Sequence, residues 1–118
     1  MSFVLKDYEN QTEVDNVFSF HNGFTGEHYV VKFYLTSKNN IIYNGIRVRL
    51  DTIDSYERWS GKLYKGHTVL SEEEWDELSH EIVFDQFNTE QAISCRIYCP
   101  GNVNSNIYYP FSLIVENA

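Results

Sequence analysis

Four groups of residues combine reactive side chains with a spacing worth testing as chemistry. Gly61-Lys62-Leu63-Tyr64-Lys65-Gly66-His67-Thr68 approaches the phosphate-loop pattern of glycine, four residues, glycine, lysine, then Ser or Thr. His67 stands where the lysine must supply charge to the β and γ phosphates. No helix start follows directly, so no nucleotide site is expected there. The histidines are His21, His28, His67 and His80, and none forms the i, i+4 pair that turns two ligands toward one metal. No glycine-x-serine-x-glycine elbow is present to present a nucleophile. Asp51, Asp54 and Glu57 share one polar segment, but their spacing matches no defined calcium loop. Cys95 and Cys99 are the only cysteines. Four residues apart on a strand, they lie about 13 Å apart at roughly 3.3 Å per residue. A disulfide needs Cα atoms within about 7 Å, so the two are expected to stay reduced and buried, without metal. These readings predict no catalytic residue, no cofactor and no metal, and a protein that is not an enzyme.

A different kind of chemistry is concentrated in residues 55–65. Tyr56, Arg58, Trp59 and Tyr64 are the residue types that dominate binding energy when an interface buries them, because each offers a large surface with a polar handle. They are the interface candidates, with Trp59 at the centre. Trp59 could instead cap the core, or could stack with Tyr56 and Tyr64 on a sugar ring. Asn10-Gln11-Thr12 matches a glycosylation sequon. The segment Met1–Asp7 lacks a basic region followed by a long apolar run, so no signal peptide is expected and the sequon reads as chance.

Charge narrows the partners. The chain has 118 residues, with 9 basic against 17 acidic side chains and a formal net charge of -8. That sign argues against direct nucleic-acid binding, which needs concentrated Lys and Arg. Between Lys65 and Arg96 there is no basic Lys or Arg at all. That gap holds Glu72, Glu73, Glu74, Asp76, Glu77, Glu81, Asp85 and Glu90. An exposed negative face follows, one that keeps the chain in solution or docks a basic partner. No run approaches the roughly 18 apolar residues of a membrane span. Hydrophobic residues reach 42% and aromatics 16%, which is incompatible with disorder.

The elements that must position these residues follow a period of two. His28 to Thr36 alternates with Tyr29, Val31, Phe33 and Leu35 on one face. Ser37-Lys38-Asn39-Asn40 reads as a turn, because Asn tolerates left-handed backbone. Ile46, Val48 and Leu50 face inward on the next strand, and Asn44-Gly45 predicts a bulge or second turn before them. Ser71 and Glu74 form a capping box for one short helix near residues 71–78, with Trp75 and Leu78 toward the core. Ile82 and Phe84, then Ile93, Cys95 and Ile97, mark two more strands. Phe111, Leu113 and Val115 mark the last, which Pro110 assigns to an edge or a bend. Shorter strands are expected over Phe3–Leu5, Val17–Phe20 and within Lys62–Leu70.

Seven or eight strands with turn signals between them predict an all-β fold. The expected architecture is one antiparallel β-sandwich over residues 1–118, immunoglobulin-like or jelly-roll, with a small barrel as the alternative. In architecture and composition over the whole chain, though in no motif, it resembles the small β-sandwich virion proteins of tailed bacteriophages, such as capsid decoration and tail-associated proteins. The resemblance implies a non-enzymatic structural subunit of a virion, with protein partners and possible self-association. Two other readings are an acidic inhibitor that docks a basic partner through residues 72–90, and a carbohydrate-binding module.

Overall fold

The structure, a computed structural model, describes residues 3–14, 17–21, 28–52, 60–98 and 108–118. Among the described residues, nine strands form two antiparallel sheets that close no barrel: β1 (Phe3–Asp7), β2 (Glu13–Val14), β3 (Val17–His21), β4 (His28–Ser37), β5 (Tyr43–Thr52), β6 (Ser60–Tyr64), β7 (Glu81–Phe87), β8 (Glu90–Tyr98) and β9 (Tyr108–Asn117). The first sheet runs β2-β1-β4-β8-β6 and the second β3-β9-β5-β7. The expected all-β, two-sheet architecture is what the chain adopts.

Alternation places the core as the period predicts. Phe33, Leu35, Ile46, Val48, Leu50, Phe84, Ile93, Ile97 and Leu113 are buried in one cluster, and Ile82 and Val115 pack against it. Phe111 is described by its backbone alone, opposite Thr52 and Phe18. Leu5, Leu63 and Phe87 join the buried set. Gly61 on β6 has a packing reason: a Cβ there would stand 2.7 Å from Leu50 Cδ1 and 3.1 Å from Ile97 Cδ1. The sheets meet at that point only because the side chain is absent.

Two expectations about strands need correction. Asn44-Gly45 makes neither a turn nor a register slip. Asn44 pairs with Gln86 and Ile46 with Phe84, so the β5–β7 register is the same on both sides. What changes is the inward phase, and it changes in both strands together. Ile46 and Phe84 face the core beyond this point, whereas Tyr43 and Phe87 pack inward before it. Gly45 makes the shift with φ at +67°, and its carbonyl accepts a hydrogen bond from the Ala118 amide at 2.6 Å. A side chain in that region of backbone costs about 1–2 kcal/mol. Gly45→Ala is therefore expected to lower stability by about that amount in urea unfolding, although the new methyl group would meet only Ala118 Cβ, at an ordinary contact distance of 3.8 Å; an unchanged midpoint would contradict the backbone argument.

The second correction concerns Pro110. β9 is an interior strand, flanked by β3 and β5, not an edge. Pro110 pairs with Ser19 of β3, while the described ladder to β5 extends only to Phe111 opposite Thr52.

The helix is α1 (Glu72–Asp76), shorter than the 71–78 expected, and its capping box is formed as predicted. The Ser71 hydroxyl accepts from the Glu74 amide at 3.2 Å, and Glu74 accepts from the Ser71 amide at 3.1 Å. Lys62 Nζ donates to the carbonyls of Asp76 and Leu78, at 3.3 and 2.7 Å, satisfying the opposite end. Five residues cannot hold a helix alone in water. Trp75, only 3% exposed, holds this one to the sheet. Among the described residues no helix is long and apolar enough to cross a membrane.

Candidate interaction surfaces

β8 lies between β4 and β6, and both of its faces are covered. Ile93, Cys95 and Ile97 point into the core, while Ser94 and Arg96 on the outer face are buried as well. Their cover is the segment from Lys65 to Ser79, which leaves β6, crosses the outer face and returns through α1. Ser94 Oγ donates to the Gly66 carbonyl at 2.5 Å. Arg96 is clamped by two acids, Nη1 to Glu72 at 3.0 Å and Nη2 to Asp76 at 2.9 Å, with its guanidinium 5.8 Å from the Trp75 ring centre. The carboxylates stand in solvent, 63% and 67% exposed, and the cation beneath them does not, at 4%. All eight acids of the 72–90 block are exposed, as expected. They are not all uncommitted, however. Glu72 and Asp76 are counter-ions of a buried arginine, and Glu81 lies 3.8 Å from Arg47.

Of the four interface candidates, only Tyr64 falls within the described residues. Tyr56, Arg58 and Trp59 lie outside them. Tyr64 is half-buried under the crossing segment, its ring edge-on to Trp75 with centroids 6.1 Å apart. The segment 61–68 that approached a phosphate loop is committed to packing: Gly61 seats the sheet contact, Lys62 caps α1, and His67 Nε2 lies 2.8 Å from the Phe33 carbonyl. Asp51 is exposed on β5, and Asp54 and Glu57 lie outside the described residues. Among the described residues no cluster of His, Cys, Asp or Glu could hold a metal ion.

Cys95 is a free, fully buried thiol, and burial pushes its pKa up from 9.0 to about 12. Cys99 lies outside the described residues. Because the folded pKa exceeds the unfolded one, the thiol's contribution to stability is complete below pH 9.0 and declines as pH rises toward about 12. In native protein at neutral pH, Cys95 is expected to resist a thiol reagent until the fold opens, with peptide mapping to separate it from Cys99. Prompt labelling of Cys95 would contradict its burial.

No family model, curated protein or solved structure matches this chain.

Two further features stand out on the surface of the described residues. One is the β4–β5 connection. Asn39 and Asn40 are both left-handed, with φ of 60° and 55°, inside a single turn of 3-10 helix over Lys38–Asn40. Buried Ser37 ties the turn down: its hydroxyl donates to the Ile41 carbonyl at 2.6 Å and its amide to the Thr89 carbonyl at 2.9 Å. The turn presents Ile41 and Ile42 to water, 44% and 55% exposed. The other feature is an aromatic cluster on the outer face of the first sheet. Tyr8, Tyr34 and His67 meet there, with Lys32 above Tyr8. Tyr8 is set by the β1–β2 turn, where Asp7 Oδ2 accepts from the amides of Glu9 and Asn10, and Asn10 Oδ1 accepts from the Thr12 hydroxyl at 2.6 Å. The sequon residues thus have a structural use within the turn.

Proposed function

We propose that the protein is a non-enzymatic interaction subunit of a larger assembly, docking through the Ile41–Ile42 tip. The observation that carries the reading is that apolar pair, held out in water by a turn with two consecutive left-handed asparagines. Left-handed backbone outside glycine is unfavourable and persists where surrounding structure enforces it, often at functional positions. Ser37 supplies that enforcement, so the tip is preorganised and little ordering entropy opposes docking. Burying the exposed part of two isoleucines contributes roughly 1 kcal/mol each. That is modest for one contact and substantial when many copies repeat it in a particle. The partners are proteins, further copies of the chain among them. The fold class and the resemblance to small β-sandwich virion proteins of tailed bacteriophages support a virion as the assembly, and the virion as its location.

Fractionating the producing cells by sedimentation tests this. The chain is expected in a particle of megadalton size at fixed copy number, and Ile41→Asp with Ile42→Asp is expected to release it while the free domain stays folded. A chain found only in low-mass fractions, or a doubly substituted chain that still assembles, would defeat the reading.

A further inference from the structure

The cluster on the outer face of the first sheet is built from three separate parts of the chain. Tyr8 comes from the β1–β2 turn, Lys32 and Tyr34 from β4, and His67 from the segment that crosses β8. The tyrosine rings are nearly parallel, 22° apart with centroids at 6.3 Å, and the imidazole stands edge-on to both, at 4.6 and 4.8 Å. Tyr8 is 41% exposed, and Lys32 Nζ lies 5.3 Å from its ring centre. The Phe33 carbonyl can only accept, so the His67 Nε2 at 2.8 Å from it carries the proton. In the neutral ring that leaves Nδ1 as an acceptor. Each part is fixed by backbone contacts independent of any ligand, through Asp7 at the turn and Phe33 at the imidazole.

We propose that Tyr8, Tyr34, His67 and Lys32 form a binding site for a neutral saccharide. The exposed part of the Tyr8 ring offers an apolar surface to the C–H face of a sugar. The surrounding polar atoms are a mixed set, an ammonium that donates, an imidazole nitrogen that accepts and two phenols that do both. Such a mixture suits hydroxyl groups, which donate and accept in turn. Charge excludes the competing ligands. A carboxylate or phosphate would approach beside Asp7 and Glu9 on a chain of net charge -8. An organic cation would meet the Lys32 ammonium at the Tyr8 ring it needs. The site is separate from the Ile41–Ile42 tip and does not depend on it.

The test is titration of the whole chain, followed by NMR, with maltohexaose, cellohexaose, mannohexaose and chitohexaose up to roughly 10 mM. Hexagalacturonate serves as the anionic comparison. At least one neutral oligosaccharide is expected to bind saturably and to shift the signals of Tyr8, Lys32, Tyr34 and His67. Tyr8→Ala is expected to weaken that binding about tenfold or more with the rest of the spectrum unchanged, and Tyr8→Phe to retain most of it. No binding by any neutral oligosaccharide, binding indifferent to Tyr8→Ala, or preference for hexagalacturonate would overturn the proposal. Loss of the tip by Ile41→Asp and Ile42→Asp is expected to leave the titration unchanged, and an altered titration would also count against it.

Discussion

Trp75→Ala is expected to lower the stability of the isolated domain by about 3–5 kcal/mol, the cost of truncating a buried large aromatic. The side chain is 3% exposed, touches Tyr64 edge-on and lies beneath the Arg96 guanidinium. It is the one buried residue of a five-residue helix. Without it, α1 has no apolar anchor and too few residues to persist alone. The loss should spread: with α1 detached, the hydrogen bonds from Lys62 to its last carbonyls and the clamp on Arg96 have nothing to hold. Urea unfolding should therefore show a lower midpoint, together with early exchange of the amides at residues 71–78. A loss under about 1 kcal/mol would mean that the crossing segment is held elsewhere, with Trp75 incidental.

Neutralising Glu72 and Asp76 together, as Glu72→Gln with Asp76→Asn, is expected to cost about 2–3 kcal/mol. Leaving one partner of a buried ion pair uncompensated costs about 3–5 kcal/mol. Here the carboxylates are more than half exposed, so solvent screens them and the figure is reduced. The same reasoning makes Arg96→Met, introduced on top of the double variant, restore part of the loss, because the stranded cation is then gone. Glu73→Gln with Glu77→Gln is the control. Both residues are exposed helix-end acids, and changes at such positions stay within about 0.5 kcal/mol. Equal effects from the two pairs would show that Arg96 needs no counter-ions. A reading of the acidic block as a purely solvating face would have grouped Asp76 with Glu73, and the structure separates them.

That separation illustrates what local pattern conveys. Alternation within one strand located Phe33, Leu35, Ile93 and Ile97 in the core, and the Ser71–Glu74 pair marked the helix start, because both signals are complete within a few residues. Arg96 was illegible in the same terms. Its burial depends on a segment some twenty residues earlier in the chain folding over the outer face of β8, and period-two logic assigns that face to solvent. Phe87 was missed for a related reason: the phase change that turns it inward is made jointly with Gly45 on the neighbouring strand. Pro110 pointed to an edge or a bend, and the edge was wrong because the pairing on either side of β9 is non-local. The cluster of Tyr8, Tyr34 and His67 is assembled from three elements, so no window of sequence contains it. The Ile41–Ile42 tip was partly legible, since the asparagine turn was expected, but the exposure of the isoleucines after it was not.

The central claim, that the chain acts by docking its Ile41–Ile42 tip, is tested most directly by amide hydrogen exchange on the free chain and on the assembled particle. The account predicts strong protection of residues 38–42 in the particle, against fast exchange there in the free chain, with the Tyr8 turn exchanging alike in both. Equal exchange of residues 38–42 in the two states, with protection arising elsewhere on the domain, would contradict it.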